Sequence, residues 1–199
     1  MTGLAFAAFG HRQEISIASM SLMSVLTRAH AFHEGAVDAL RSDNPFAAFT
    51  LLRSYAENAA LLVWLKHHPD DLNRLYPQAP PDARFAIGKL LNFAQARLLG
   101  FSGVYEQLSG FAHPSAATAM TPWRAAGEDN RKVNWTSAPA FKNDGDFMIA
   151  GMWAVELAEA NGHLWAECWT AYFGESPTAA VPGKWVSQGP KNSAAPQRG

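Results

Sequence analysis

The stretch Phe46-Ala-Ala-Phe-Thr-Leu-Leu-Arg53-Ser-Tyr-Ala-Glu57-Asn-Ala-Ala-Leu-Leu-Val-Trp64-Leu-Lys66-His67 decides the fold of this chain of 199 residues. Within residues 46–67 only Arg53, Glu57 and Lys66 are charged, and apolar side chains occur on every side of a helical turn. The run is too long for an ordinary strand, and a helix apolar almost all the way round needs neighbours on all sides. It belongs in the middle of a bundle. Pro45 suits the first helical turn, where its missing N–H is not needed, and it cannot continue any helix that precedes it. Pro69, after His67 and His68, ends the segment.

Upstream, residues 12–41 place Ile15, Ala18, Leu22, Val25, Leu26, Ala29, Phe32, His33, Ala36 and Leu40 at alternating spacings of three and four. That stripe predicts an amphipathic helix of roughly 45 Å. Ser16, Ser19, Ser21 and Ser24 have modest helix propensity, so packing must hold it. Downstream, a short helical turn is expected over 70–76 and a loop over 78–81. Asp82 is then a candidate N-cap for a third helix, with Ile87, Leu90, Leu91, Ala94 and Leu98 inside and Gly100 as its stop. A fourth helix follows over 102–113, closed by Pro114. The texture changes over 119–140, where Trp123-Arg-Ala-Ala and Arg131-Lys-Val-Asn-Trp135 flank Gly127-Glu-Asp-Asn130 in the pattern of a small hairpin. Asn143 offers a cap for a long last helix to 173, with the stripe Phe147, Ala150, Trp153, Ala154, Leu157, Asn161, Leu164 and Cys168. Beyond Gly174, prolines and small residues read as a tail. The expected fold is all-α. A single bundle of four to five helices occupies residues 1–173, with a small β-hairpin-like insertion, and a disordered C-terminal tail covers 174–199.

Composition excludes several classes. Lys and Arg number 16 against 17 Asp and Glu, a formal net charge of -1, and neither half of the chain is basic. The composition therefore supplies no broad positive face for duplex nucleic acid. A single Cys allows no internal disulfide, which fits a reducing compartment. The apolar start, Met1-Thr-Gly-Leu-Ala-Phe-Ala-Ala-Phe9, has no basic flank and runs at once into His11, Arg12 and Glu14, unlike a secretory signal. The longest apolar run, residues 59–65, falls far short of the roughly 20 residues that span a bilayer. The expectation is a cytoplasmic protein with no membrane association.

The unusual feature is polar. At about 100° per residue, Arg53 and Glu57 fall among Phe46, Phe49, Ala60 and Trp64, inside the most apolar stripe of their helix. A charge placed there must be paired or hydrogen-bonded, because an orphan buried ion is strongly destabilising. Their spacing lets the two side chains meet. The pair is either a buried clip that sets bundle register or the wall of a functional pocket. Tyr105, Ser109 and His113 recur four apart on the fourth helix, beside Phe101 and Ala112. Two hydroxyls and an imidazole on one stripe are able to satisfy Arg53 and Glu57 across a helix interface. The alternative is a capping His113 at the helix end with a half-exposed Tyr105.

Leu52-Arg-Ser-Tyr-Ala-Glu57 on its apolar helix, followed by Tyr105-Glu-Gln-Leu-Ser-Gly-Phe-Ala-His-Pro114, resembles a family of bacterial all-helical proteins. In that family an Arg-x3-Glu helix precedes a Tyr-x3-Ser-x3-His stripe. The resemblance spans about residues 20–118 and implies the helical fold. The family has no settled activity, so no chemistry follows from it. The chain is also reminiscent of HEPN-type helical domains, several of which are ribonucleases using Arg-x4–6-His. Arg28-Ala-His-Ala-Phe-His33 meets that spacing, and under that resemblance Arg28 and His33 are the catalytic candidates. On a continuous helix the two lie about 140° apart, however, and the HEPN enzymes carry their motif on a late helix.

Other chemistries find fewer residues. His30, His33 and Glu34 on the first helix and Glu156, Glu159 and His163 on the last are donors, but no Glu-x-x-His occurs among them. Gly-x-Gly-x-x-Gly, Walker, Gly-x-Ser-x-Gly and His-Glu-x-x-His patterns are missing. Cys168 lies on an inner stripe and reads as an inert core thiol. No cofactor and no metal are expected. The expected function is a non-enzymatic helical interaction or small-ligand-binding domain with an interior polar cluster. The alternative is a HEPN-like ribonuclease or nucleic-acid-directed defence protein or toxin. Nucleic acid is a partner only under that alternative, and a homo-oligomer fits either.

Overall fold

The structure is a computed structural model that describes residues 15–80, 82–113, 122–126 and 132–174, with Gly3 and Pro177 besides. In chain order the described elements are α1 (Ile17–Arg41), α2 (Pro45–His67), a 3-10 helix (Pro69–Leu75), α3 (Ile87–Gln95), α4 (Phe101–Ala112), the strands β1 (Trp123–Ala126) and β2 (Lys132–Trp135), and α5 (Asp144–Phe173). The strands pair antiparallel, with Trp123 opposite Trp135. The architecture is all-α with a small hairpin. The N-terminal stretch 1–9 apart from Gly3, a helical start at Arg12, the hairpin turn 127–130 and the tail beyond Gly174 apart from Pro177, with Trp185, lie outside the described residues.

α2 is the axis of the fold, packed against α1, α3, α4 and α5. Leu52, Tyr55, Ala56, Ala60, Leu62 and Leu65 are fully buried, which is why the helix has almost no polar face. Its first turn is set by Asn44, whose side chain accepts from the Ala47 N–H at 3.1 Å, with Pro45 following. α1 and α5 also pack on each other, so α1, α2 and α5 enclose the main core, and α3 and α4 cover the rest of α2. Trp165, fully buried on α5, donates its indole N–H to the Leu22 carbonyl of α1 at 2.8 Å. One buried contact escapes any periodicity argument: Asn58 of α2 donates to Asn161 of α5 at 2.9 Å, both out of contact with water.

α1 starts later than its stripe suggests. The Ser16 side chain accepts from the Ser19 N–H at 3.1 Å, which turns the chain into the helix at Ile17 and leaves Ile15 exposed rather than inside. Ser16→Ala is expected to destabilise the protein by about 1 kcal/mol, read as a shift of the urea midpoint at constant slope. An unchanged midpoint would show that α1 does not depend on this cap.

α3 departs furthest from the expectation. Asp82 caps nothing; the helix begins at Ile87, with Ala86 in the cap position and no side-chain cap. Arg74 supplies the reason. Its Nε donates to the Ala83 carbonyl at 3.2 Å and its Nη2 to the Arg84 carbonyl. A helix running through these residues would use those two carbonyls as its first acceptors. The same guanidinium lies over the Phe85 ring, 4.1 Å from its centroid, so Arg74 straps residues 83–86 in a non-helical path. α3 also stops at Gln95, short of Gly100, which instead caps the start of α4 at φ +78, a conformation open to glycine. α5 begins where Asn143 accepts from the Asp146 N–H at 2.8 Å and runs through Gly162 without a break. Phe147, expected inside, is half-exposed against Phe141. Among the described residues no helix is long and apolar enough to cross a membrane.

Candidate functional site

Arg53 and Glu57 stand one turn apart on the flank of α2 that α4 covers, and the repeat of four along α4 presents Tyr105 and His113 to them. Arg53 Nε lies 3.3 Å from Glu57 Oε1 and donates to the Tyr105 hydroxyl at 3.2 Å. That hydroxyl donates in turn to Glu57 Oε1 at 2.9 Å. Arg53 Nη1 meets His113 Nε2 at 2.9 Å. A guanidinium has donors only, so in this contact Nε2 is the acceptor. Arg53 is thus held by a carboxylate, a phenol and an imidazole at once.

Two expectations need correction here. Ser109 does not join the cluster: its Oγ is buried without a hydrogen-bond partner. It sits between Tyr105 and His113 on the stripe, but its side chain is too short to span the interface that they bridge. The ion pair is also less buried than its place in the stripe implies, with the Arg53 side chain 25% and the Glu57 side chain 20% exposed. α4 has only 12 residues and covers part of the flank, so both heads keep some solvent. Half-burial lowers the desolvation penalty while retaining the attraction.

Glu57 faces a second environment. It lines a cleft of about 460 Å³, whose walls are Arg28 of α1, Leu61 of α2, Arg74, Leu75 and Tyr76 at the end of the 3-10 helix, and Arg84, Phe85, Ile87 and Leu90 around the start of α3. The strap formed by Arg74 builds this cleft, because it draws residues 83–86 away from a helical path. Arg74 is fully engaged, with the two carbonyls and with Asp71 at 3.6 Å. Arg28 lies over the Phe32 ring at 5.1 Å, and Arg84 projects from the strapped segment. Among the described residues neither has a carboxylate within ion-pair distance.

The remaining candidates are dispersed. Arg28 lines the cleft, whereas His33 packs its ring 6.1 Å from Tyr55 with Nδ1 buried and unpartnered. The helix turns the two to different sides. The Tyr55 hydroxyl is likewise buried without a partner, and burial pushes its ionisation above the ordinary phenol range. His30 and Glu34 approach to 3.9 Å on an exposed surface, and Glu156, Glu159 and His163 border a separate shallow hollow on α5. Among the described residues no three His, Cys, Asp or Glu side chains gather as a metal would require. Cys168 is fully buried, donates to the Leu62 carbonyl at 3.2 Å, and has its thiol pushed up to about 12 by burial. A further cleft of about 470 Å³ between α2, the segment after α3 and α5 has its cations occupied: Lys66 pairs with Glu167 at 3.0 Å, and Arg97 donates to the Phe93 carbonyl at 3.1 Å.

Arg74 and Arg84 were not legible as site residues. In the sequence they flank a Pro-rich loop and look like solvated charges, and only the structure shows that one holds the chain and the other borders a cleft. Comparison of the chain with protein-family models, with curated proteins and with solved structures finds no match.

Proposed function

We propose that the chain is a small-ligand-binding helical domain whose site is the cleft beside the Arg53–Glu57–Tyr105–His113 cluster. One observation carries this: Glu57 belongs both to the cluster and to the cleft wall. A clip needed only for bundle register has no reason to border an open cavity. The cavity of about 460 Å³ is within the size of small-molecule sites, about 300–1,000 Å³, and mixes apolar walls with a few placed charges. The cluster fixes the Glu57 wall from behind, the kind of support that keeps a binding surface preorganised. Its two groups able to move protons, Tyr105 and His113, are spent on Arg53 and Glu57, which favours binding over catalysis.

The test is an amide-resolved NMR titration with a panel of charged and neutral fragments of ring size. Shifts are expected at Leu61, Ala83, Phe85 and Leu90, and Ala83→Trp, which fills the cleft, is expected to abolish them. A panel that leaves every cleft amide unmoved would overturn the proposal.

One observation favours a second reading, the HEPN-like ribonuclease. His113 is exposed and its imidazole touches Arg53, a pair with the chemistry to move a proton beside a phosphate. Under the preferred reading, purified protein leaves generic single-stranded RNA intact, and His113→Ala lowers the melting temperature. RNA cleavage that is lost in His113→Ala or His33→Ala, with melting unchanged, would replace binding by catalysis.

A further inference from the structure

We infer that the cleft takes an amphipathic anion: a ring-sized apolar body with one carboxylate or phosphate head. The inference rests on the proposal that this cleft is a ligand site, and it names the class of ligand. The body follows from Leu61, Phe85 and Leu90, which give the cavity apolar walls. The head follows from the charges. Of the four ionic groups in the wall, Arg74 is engaged by Asp71 and two carbonyls, and Glu57 by Arg53 and Tyr105. Arg28 and Arg84 remain, one on α1 and one on the strapped segment, and neither has a carboxylate partner among the described residues.

The chain as a whole has formal net charge -1, so acidic side chains are not scarce. Two guanidinium groups that border one cavity without an ion-pair partner among the described residues, where the one wall carboxylate, Glu57, is already paired with Arg53, form a locally positive site in a chain that is not basic. A guanidinium presents a planar fork of donors that matches a carboxylate or a phosphate edge. Because both arginines keep solvent, the attraction falls with salt. A cationic ligand would face the same two charges and is excluded by them.

The test uses the full chain and four probes that share a phenyl body: 3-phenylpropionate, phenyl phosphate, 3-phenylpropanol and 3-phenylpropylamine. Binding is followed by amide shifts at Arg28, Leu61, Phe85 and Leu90. The two anions are expected to bind at least about tenfold tighter than the alcohol, the scale of one charge-assisted hydrogen bond, and the amine not at all. The tighter of the two anions identifies the head. Arg28→Gln and Arg84→Gln are each expected to lose about tenfold for the anions and nothing for the alcohol. Both side chains are exposed, so folding should survive. Should one variant melt early, the ratio of anion to alcohol in the unaltered chain, and its loss in about 1 M salt, still decides. Alcohol or amine binding as tightly as the anions would keep the cleft as a ligand site and overturn the anion. No cleft shift with any of the four probes would overturn both.

Discussion

Asn161→Leu is expected to destabilise the bundle by about 3 kcal/mol, measured by urea unfolding at unchanged slope. Asn161 is fully buried at the centre of α5, where its Oδ1 accepts from Asn58 Nδ2 at 2.9 Å. Its own Nδ2 donates to the Leu157 carbonyl at 2.9 Å and to the Tyr55 carbonyl at 3.3 Å, so one amide ties α5 to α2 twice. Leu fills the space but leaves the Asn58 amide stranded. The Asn58 Oδ1 already lacks a partner, and the substitution would orphan the Nδ2 as well. An unpaired buried polar group costs about 1–3 kcal/mol, and the loss of all three hydrogen bonds of the Asn161 amide with the newly stranded Asn58 Nδ2 brings the total to the upper end. The double variant Asn58→Leu with Asn161→Leu removes both partners and is expected to be more stable than Asn161→Leu alone. Additive losses in that cycle would show that the two amides do not act as a pair.

This pair marks where the sequence stopped being informative about the fold. The helices themselves were legible. The apolar run of α2, Pro45 at its first turn, and the stripe of α5 with its Asn143 cap are local signals, and each fixes an element without reference to the rest of the chain. The start of α3 was not local. Asp82 had the composition of a cap, but Arg74, eight residues earlier, takes the carbonyls of Ala83 and Arg84 and moves the helix start to Ile87. A tertiary hydrogen bond overrode a propensity. Ile15 failed for the opposite reason, since a closer cap at Ser16 won over hydrophobic spacing.

The candidate site divides along the same line. Arg53 and Glu57 were visible as charges in an apolar stripe, and the repeat of four along α4 picked Tyr105 and His113 to meet them. Ser109 satisfied the same spacing and stayed outside, because periodicity gives direction but not reach. The cleft was invisible. Its walls come from α1, α2, the 3-10 helix and the segment before α3, elements far apart in the chain that only packing brings together.

Glu57→Ala separates the structural and functional roles because it moves two quantities in opposite directions. Stability is expected to fall by about 2 kcal/mol, between the roughly 1 kcal/mol of an exposed pair and the 3–5 kcal/mol of a buried one. The intermediate value follows from the exposure of 25% for Arg53 and 20% for Glu57, and from the Tyr105 hydroxyl, which loses its acceptor. Glu57→Gln keeps an oxygen for Tyr105 and should lose only about 1 kcal/mol. Affinity for 3-phenylpropionate should meanwhile rise, on the order of threefold, in both variants. Glu57 is the one carboxylate among the described residues of the cleft wall, and its removal lifts a repulsion that Arg53 only partly offsets. A clip that served register alone would change the melt and leave probe binding unaltered. A carboxylate that received a cationic ligand would do the reverse of the expectation, since either variant would then strengthen nothing and abolish binding of 3-phenylpropylamine. A thermal melt of Glu57→Ala that overlays the unaltered protein would sink the structural half of the argument. Weaker binding of 3-phenylpropionate in Glu57→Gln, where the shape of the wall is kept, would sink the other half.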